Sequence, residues 1–293
     1  MSIVAFWNDD KEQTGKTLTS VAVATRMAIE RNLKVLLIST SYREPTVKNC
    51  FWVDIVRKDT KLFNTGNNIA VQSGIEGLSR LVKANKIQPS IITDYTKVIF
   101  KNRLEVLSGY IGNKDNSEEE SRNDYEKVAQ SYPELLKLAN QYYDMVLVDV
   151  DNDLPLEVRK TIIGEANLQI FVMTQRLASL DRYNELKNKN KDMIGPKCIP
   201  VIGKYNAKSK YNKKNITRYL DEKKDIHVIP FNTSYFEAAE EVGVTELFLK
   251  QRDLKDTTDE NYIFMEEVLK LTNTIITRLH ELQMKKRWEN VFI

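Results

Sequence analysis

Apolar and polar positions follow two alternating patterns along this chain. Short runs rich in β-branched residues recur, and several are apolar almost throughout, as strands covered on both faces must be. These runs predict strands at 2–7, 34–39, 103–108, 144–149, 168–173, 197–203 and 226–230. Stretches with the helical spacing of apolar residues lie between them, at 16–31, 76–84, 121–141, 154–166, 179–192, 212–223, 233–242 and 259–285.

The order strand, helix, strand predicts the fold class. It is typical of a doubly wound α/β protein, whose mostly parallel sheet, here of about seven strands, carries helices on both faces. Two segments are weaker in pattern: 43–75 contains turn residues, and 112–124 is polar and acidic, so we expect it to form an exposed loop. Neither segment is typical of a linker. We therefore expect one domain over residues 1–293, with 258–293 as a C-terminal helix and tail.

Composition narrows the class of protein. Of the 293 residues, 42% are hydrophobic and 29% are charged, which is ordinary for a globular protein, and the net charge of +3 alone indicates no nucleic-acid or membrane partner. Cys50 and Cys198 match no disulfide or metal spacing, and no apolar run approaches the ~20 residues of a membrane span. The first residues also lack the basic region of a secretory signal. We expect a cytoplasmic protein.

Candidate chemistry follows the first predicted strand, in the stretch WNDDKEQTGKTLTS at residues 7–20. Its TGKT, Thr14 to Thr17, matches the second half of the phosphate-binding pattern G-x-x-x-x-G-K-[ST], but Asp10 stands where the first glycine belongs. Between a strand and a helix, such a loop attracts a phosphate with its N–H groups and the helix N-terminus. Lys16 would then contact the β- and γ-phosphates of ATP, and Thr17 would ligate Mg²⁺. The alternative is a plain helix start without a ligand.

A second signal lies in the stretch YYDMVLVDVDND at 142–153, which predicts a buried strand ending at Asp149. A carboxylate at the carboxyl end of a neighbouring strand can hold Mg²⁺ through water. An apolar run ending in aspartate is common by itself. Combined with the loop at 10–17, it indicates an ATP and Mg²⁺ site in which Thr17 and Asp149 hold the metal.

The ordered motifs resemble the ParA/MinD superfamily of ATPases, and most closely its CpaE/TadZ-type branch, which serves Tad pilus and related secretion systems. KEQTGKT at 11–17 falls on the deviant Walker A loop x-K-G-G-x-G-K-T of that superfamily. Later segments are similar to the family in the same order: 34–41, 77–82, 102–110, 142–149, 170–182, 201–206 and 228–243. The resemblance implies a P-loop ATPase fold, binding of ATP with Mg²⁺, and recruitment to a cell pole or the inner membrane surface.

The resemblance also implies roles for single residues. Lys11 falls on the signature lysine, which in the family reaches across an ATP-bound homodimer to the phosphates held by the other subunit, so it is a candidate catalytic residue. The residues implied to bind the nucleotide are Gln13, Thr14, Gly15, Lys16, Thr17, Leu18, Asn206, Pro230 and Asn232. The expected partners are a second copy of the chain and a protein of a pilus, secretion or partition machine.

The loop departs from the family pattern at three glycine positions, held here by Asp10, Glu12 and Gln13. Glycine permits a positive φ and close backbone approach, which these residues do not. The two acids also bring negative charge towards the phosphates, and that repulsion weakens ATP binding unless Mg²⁺ or a lysine compensates.

The residues that would drive hydrolysis depart as well. Two aspartates that follow the second strand of the family are replaced by Ser39 and Ser41. The resemblance assigns Ser41 the catalytic position that orients the attacking water, yet serine is a poor general base. Asp151 or Asp153 are alternatives for the missing carboxylate. We therefore expect nucleotide binding with slow or absent turnover.

Two other function classes stay open. One is a pseudo-ATPase that binds no nucleotide and acts as an interaction module. The other is an active partition ATPase that binds DNA non-specifically, for which residues 204–224 are the candidate, with eight Lys or Arg against two acids. A solvated loop and helix face is the favoured interpretation of that segment. The tail at 284–293 mixes basic and bulky apolar residues, for which membrane contact is the less favoured interpretation.

Overall fold

The computed structural model describes residues 1–9, 12–53, 74–84, 87–113, 115–189, 194–222 and 226–291. Within these ranges an eight-stranded sheet has the order β3-β4-β2-β5-β1-β6-β7-β8, and only β3 runs antiparallel to its neighbour. The strands are β1 Ser2–Trp7, β2 Val35–Ser39, β3 Lys97–Phe100, β4 Leu104–Leu107, β5 Met145–Asp149, β6 Leu168–Met173, β7 Cys198–Tyr205 and β8 His227–Pro230. The predicted doubly wound α/β fold is confirmed.

Helices cover both faces of the sheet. They are α1 Lys16–Glu30, α2 Thr46–Asn49, α3 Ile75–Lys83, α4 Glu118–Ala129, α5 Tyr132–Ala139, α6 Leu156–Glu165, α7 Leu177–Lys189, α8 Lys213–Tyr219, α9 Thr233–Glu240, α10 Val244–Lys250 and α11 Glu260–Val291, with a 3-10 helix at Pro89–Tyr95. Successive side chains of a strand point to opposite faces. Ile3 and Ala5 of β1 thus join a core with α3 to α8, and Val4 and Phe6 join one with α1, α9, α10 and α11.

The central strands were predicted because they are buried on both faces. The edge strand β3 was missed, since Lys97 and Val98 are exposed there and give no apolar run. Covering the edge of the sheet with a short strand that carries a lysine also limits pairing with other chains. The prediction for 43–75 falls largely on 54–73, which lie outside the described residues.

The predicted helix at 121–141 is two helices. Pro133 lies at the start of α5 and has no N–H to donate to a preceding turn, so α4 ends at Ala129. The prediction that 112–124 is an exposed loop is wrong for its second half, because α4 begins at Glu118. Ser117 and Glu120 form a capping box there, each side chain accepting from the backbone N–H of the other.

We expect Phe248→Ala to lower the free energy of unfolding by about 3–5 kcal/mol, which urea denaturation measures. Phe248 of α10 is fully buried, and its ring lies 5.9 Å from that of Tyr235 and 6.3 Å from that of Phe264. Leu249→Ala is the control, because Leu249 on the same helix is 51% exposed and its loss should change stability by less than about 0.5 kcal/mol. Equal losses in both variants would contradict this packing.

Candidate nucleotide-binding site

The loop between β1 and α1 lies at the carboxyl edge of the parallel strands, where ligands of open α/β sheets bind. Gly15 ends the loop with φ 83° and ψ 13°, a left-handed conformation that glycine adopts without steric cost, and it caps the N-terminus of α1. Lys16 and Thr17 are consequently the first residues of a 15-residue helix. The free N–H groups and the positive end of the helix dipole make this a suitable site for an anion.

The backbone of strand β7 packs closely against the loop at Gly203. A β-carbon at Gly203 would lie 2.1 Å from the carbonyl oxygen of Thr14, so no larger residue fits without moving one of the two segments. The next residue, Lys204, has a positive φ of 49° and packs its side chain on Gly15. The loop is therefore supported from below by β7 and flanked by a lysine.

Asp149 at the end of β5 joins the two predicted motifs. The Nζ of Lys16 lies 3.3 Å from Asp149 Oδ1 and also donates to the carbonyl oxygen of Val150. The Thr17 hydroxyl donates to Asp149 Oδ2 at 2.9 Å. Asp149 is only 1% exposed, and this burial raises the pKa of its carboxyl above the usual range, against the opposing effects of Lys16 and Thr17.

These residues fit ATP with Mg²⁺. A buried carboxylate and a neighbouring hydroxyl are the hard oxygen ligands that Mg²⁺ prefers, and Asp149 Oδ1 accepts no hydrogen bond in the structure. Lys16 and the N-terminus of α1 supply the positive charge for phosphates. Thr17 and Asp149 would hold the metal, as the sequence predicts.

Above the loop lies a cavity of about 490 Å³, a size typical of small-molecule sites. The predicted nucleotide-binding residues that line it are Gln13, Thr14, Gly15, Lys16, Thr17, Leu18, Pro230 and Asn232. Asn206 is not among the lining residues. Its N–H donates to Gln175 Oε1 at 2.8 Å and its Oδ1 accepts from the N–H of Lys208, so its groups serve the loop after β7.

The wall formed by 230–236 contains residues that the sequence did not single out. Asn232 caps α9 by accepting from the N–H of Tyr235, and the Tyr235 hydroxyl donates to the carbonyl oxygen of Leu18 at 2.7 Å. Phe231 and Phe236 line the cavity while 56% and 46% exposed, with ring centroids 6.3 Å apart. Exposed aromatic faces can stack on a base. The only signal in the sequence was two phenylalanines flanking Asn232.

Arginines neutralise two of the acids at the start of the loop. Glu12 pairs with Arg176, and Asp9 pairs with Arg182 and, at 3.6 Å, with Arg159. The expected repulsion between Glu12 and a phosphate is therefore reduced, although Glu12 lines the cavity. Asp10 and the predicted signature residue Lys11 lie outside the described residues.

Ser39, the last residue of β2, and Ser41 bond to one another instead of facing the cavity. Ser39 Oγ donates to Ser41 Oγ at 3.0 Å, and Ser41 Oγ donates to the carbonyl oxygen of Glu44 at 2.7 Å. Ser41 is 3% exposed and is not among the lining residues. This geometry does not support the predicted catalytic role of Ser41, because its hydroxyl is committed and buried.

Several basic side chains of residues 204–224 have no acidic partner in the part of the chain that the structure describes. Lys208, Lys210, Lys213, Lys214 and Arg218 form no ion pair with any described residue, and Lys210 lies over the ring of Tyr211. Such a surface can contact phosphates or an acidic partner. Searched over the described ranges, the helices include none with the length and apolar content needed to cross a membrane.

Fold and loop together define an α/β protein with the architecture of the P-loop NTPase fold. No family model and no curated protein matches the chain. Among solved structures it resembles a ParA family ATPase from Chlorobium tepidum TLS, with a TM-score of 0.66 and 14% identity over 92% of this chain and 98% of that one. At this identity the likeness establishes the fold, which is that of the ParA/MinD ATPases.

Two further structures with this fold contain nucleotides. The MinD septum site-determining protein from Pyrococcus horikoshii OT3, complexed with Mg-ADP, has a TM-score of 0.57 at 14% identity and covers 91% of this chain and 93% of its own. A putative plasmid partition protein from Borrelia burgdorferi B31, bound to AMPPNP, has a TM-score of 0.55 at 17% identity and covers 97% and 99%.

We expect Asp149→Asn to leave the nucleotide-free protein as stable as the wild type or more stable, and to weaken Mg²⁺-dependent nucleotide binding. The raised pKa means that the folded state holds the carboxyl proton more tightly than the unfolded state does, so stability falls as pH rises above the ordinary value of 3.8. Thermal unfolding at pH 5 and pH 7 measures this effect, with the exposed Asp94→Asn as control. A large loss of stability in Asp149→Asn alone would show that the contact with Lys16 outweighs the cost of burial.

Proposed function

We propose that this chain is an ATP- and Mg²⁺-binding protein of the ParA/MinD type, which acts as a dimerising positional switch or scaffold and hydrolyses ATP slowly or not at all. The observation that carries the proposal is the contact of Lys16 and Thr17 with the buried Asp149 beneath a nucleotide-sized cavity. These three side chains supply phosphate and metal contacts at one point of the sheet edge. The fold shared with nucleotide-bound partition and septum-site proteins supports it.

Binding uses groups that are already in place. The N–H groups at the start of α1 and the Nζ of Lys16 take the phosphates, so Lys16 exchanges the Val150 carbonyl for a phosphate oxygen. Thr17 and Asp149 would hold Mg²⁺, which would neutralise part of the phosphate charge. The base lies towards Pro230, where the exposed rings of Phe231 and Phe236 offer a stacking surface.

Slow turnover follows from the segment after β2. Hydrolysis needs a group that orients and deprotonates the attacking water, whereas binding does not. Ser39 and Ser41 carry no carboxylate, and their hydroxyls are used within the segment. A protein that binds ATP and hydrolyses it slowly is suited to hold a complex in one state, which favours a scaffold or switch over a motor.

Two kinds of cellular system are candidates for the process in which this protein acts. The resemblance of its motifs to the CpaE/TadZ-type branch supports a Tad-type pilus or secretion system, and the shared fold of partition and septum-site ATPases supports partition or positioning. In either case Lys11 of one subunit reaches the phosphates bound by the other, and a partner protein recruits the dimer to a cell pole or to the inner membrane surface.

Two observations favour other functions. The acids of the loop favour a pseudo-ATPase without nucleotide, although Arg176 offsets Glu12. The unpaired basic residues between Lys208 and Arg218 favour a partition ATPase that binds DNA. DNA retention that falls steeply between low and physiological salt would identify the latter function.

The first test is calorimetric titration of the protein with Mg·ATPγS. We expect binding with a Kd on the order of micromolar and a loss of at least about tenfold in Lys16→Ala, because the variant removes charge-assisted hydrogen bonds to the phosphates. Lys97→Ala on the exposed edge strand is the control and should bind like the wild type. Absence of binding by all three proteins would contradict the proposal and favour the pseudo-ATPase.

Phosphate release from ATP as fast as in ordinary ParA-type ATPases would contradict only the slow turnover.

The second test concerns assembly. We expect Mg·ATPγS to double the molar mass measured by light scattering, and Lys11→Ala to bind nucleotide yet remain monomeric, because a lysine acting across the interface contributes to the dimer alone. The control is Lys16→Ala, which should fail in both measurements. Dimers of Lys11→Ala with wild-type stability would contradict the role of Lys11.

A further inference from the structure

Asp151 lies two residues beyond Asp149 and lines the same cavity, whereas Ser41, two residues beyond the end of the adjacent strand β2, does not. Strands β2 and β5 are parallel neighbours in which Ser39 pairs with Asp149, and the pairing continues past their ends. The N–H of Thr40 donates to the carbonyl oxygen of Asp149 at 3.1 Å, and the N–H of Asp151 donates to Thr40 Oγ1 at 2.8 Å. The backbone of Asp151 is therefore fixed by β2, so its side chain begins from a defined position.

The carboxylate of Asp151 is only partly used by the protein. Oδ1 accepts from the N–H of Asp153 at 2.8 Å, which orients the group and leaves Oδ2 without a hydrogen bond. Asp151 forms no ion pair with any described residue. Its charge is close enough to Asp149 to add to the effect of burial in raising the pKa of that carboxyl.

The other acids around the cavity are placed differently. Glu12 is neutralised by Arg176, and Glu44 accepts from the Thr46 hydroxyl. Glu240, at the end of α9, also lines the cavity. Asp153 is not among the lining residues and faces Arg122 at 3.9 Å. Asp151 lines the cavity, its charge acts on Asp149, and it has no cation partner among the described residues.

An unneutralised carboxylate beside a polyphosphate is repulsive unless a cation lies between the two. Mg²⁺ in nucleotide sites is typically held by one or two carboxylates together with phosphate oxygens and waters. Asp149 Oδ2 accepts from the Thr17 hydroxyl and Oδ1 lies 3.3 Å from the Lys16 Nζ, so Asp149 alone offers the metal few oxygens. Oδ2 of Asp151 accepts no hydrogen bond from the described residues and is a further acceptor for a metal-bound water.

We propose that Asp151 is the second carboxylate of the metal site, which holds a water of the bound Mg²⁺ and makes nucleotide binding dependent on the metal. This inference rests on the proposed binding of nucleotide at the loop. The effect of Asp151 on nucleotide affinity therefore depends on the metal. Asp151 strengthens the binding of Mg·nucleotide and weakens the binding of metal-free nucleotide.

The test is titration of the full chain with a fluorescent ATP analogue, at a series of Mg²⁺ concentrations and in excess EDTA. We expect Asp151→Asn to raise the Mg²⁺ concentration needed for half-maximal binding by about tenfold, and to bind the metal-free analogue more tightly than the wild type. Asp151→Glu, which keeps the charge, should retain a Mg²⁺ requirement. Asp153→Asn is the matched control and should leave both measurements unchanged.

The asparagine variant keeps the acceptor for the Asp153 N–H and is expected to fold. Asp151→Ser, whose hydroxyl also accepts that bond, is a second variant with the same expectation. A Mg²⁺ dependence of both variants equal to that of the wild type would overturn the inference while leaving the proposed nucleotide binding intact. A loss in Glu44→Gln with none in Asp151→Asn would overturn it in favour of Glu44. Absence of binding by the wild type would overturn the proposed function, and this inference with it.

Discussion

The contact between Lys16, Thr17 and Asp149 connects the start of α1 with the carboxyl end of β5. Asp149 is buried, so its negative charge costs free energy unless the lysine and the hydroxyl stay close. Their position depends in turn on Gly15, which takes the left-handed conformation that starts α1 at the sheet edge. The phosphate end of the site is thus built from groups that also satisfy one another in the nucleotide-free protein. A phosphate bound there would have to exchange partners with Lys16, which already contacts Asp149 and the Val150 carbonyl.

Short-range spacing revealed this part of the site. The order Gly15, Lys16, Thr17 after a strand has few structural settings, and an apolar run ending in Asp149 predicts its own burial. The central strands were equally visible, since they are apolar on both faces. The edge strand β3 was not, because half of its side chains are exposed and its partner is local.

Side-chain contacts that depend on tertiary structure could not be predicted from local spacing. Asn206 follows β7, but the turn after Tyr205 directs its groups to Gln175 rather than to the cavity. The pairing of Glu12 with Arg176 joins residues 164 positions apart, and no local pattern marks it. Ser41 has the position that the resemblance assigns to a catalytic group, yet a hydrogen bond to the Glu44 carbonyl turns its hydroxyl away. Local chemistry therefore predicted which residues meet in the Lys16–Thr17–Asp149 contact, whereas the folded chain decided which neighbouring acids line the cavity.

The contact between Gly203 and Thr14 has a mechanical consequence. The carbonyl oxygen of Thr14 occupies the space that a β-carbon at Gly203 would need. The loop therefore cannot move closer to β7. Displacement of the loop is therefore one-sided, outward from the sheet or together with β7. The Tyr235 hydroxyl of α9 donates to the Leu18 carbonyl oxygen in the first turn of α1, so the start of α1 is held from a second side. A displacement of α9 would therefore move the start of α1, where Lys16 and Thr17 lie. The contact with β7 would limit movement of the loop in that direction.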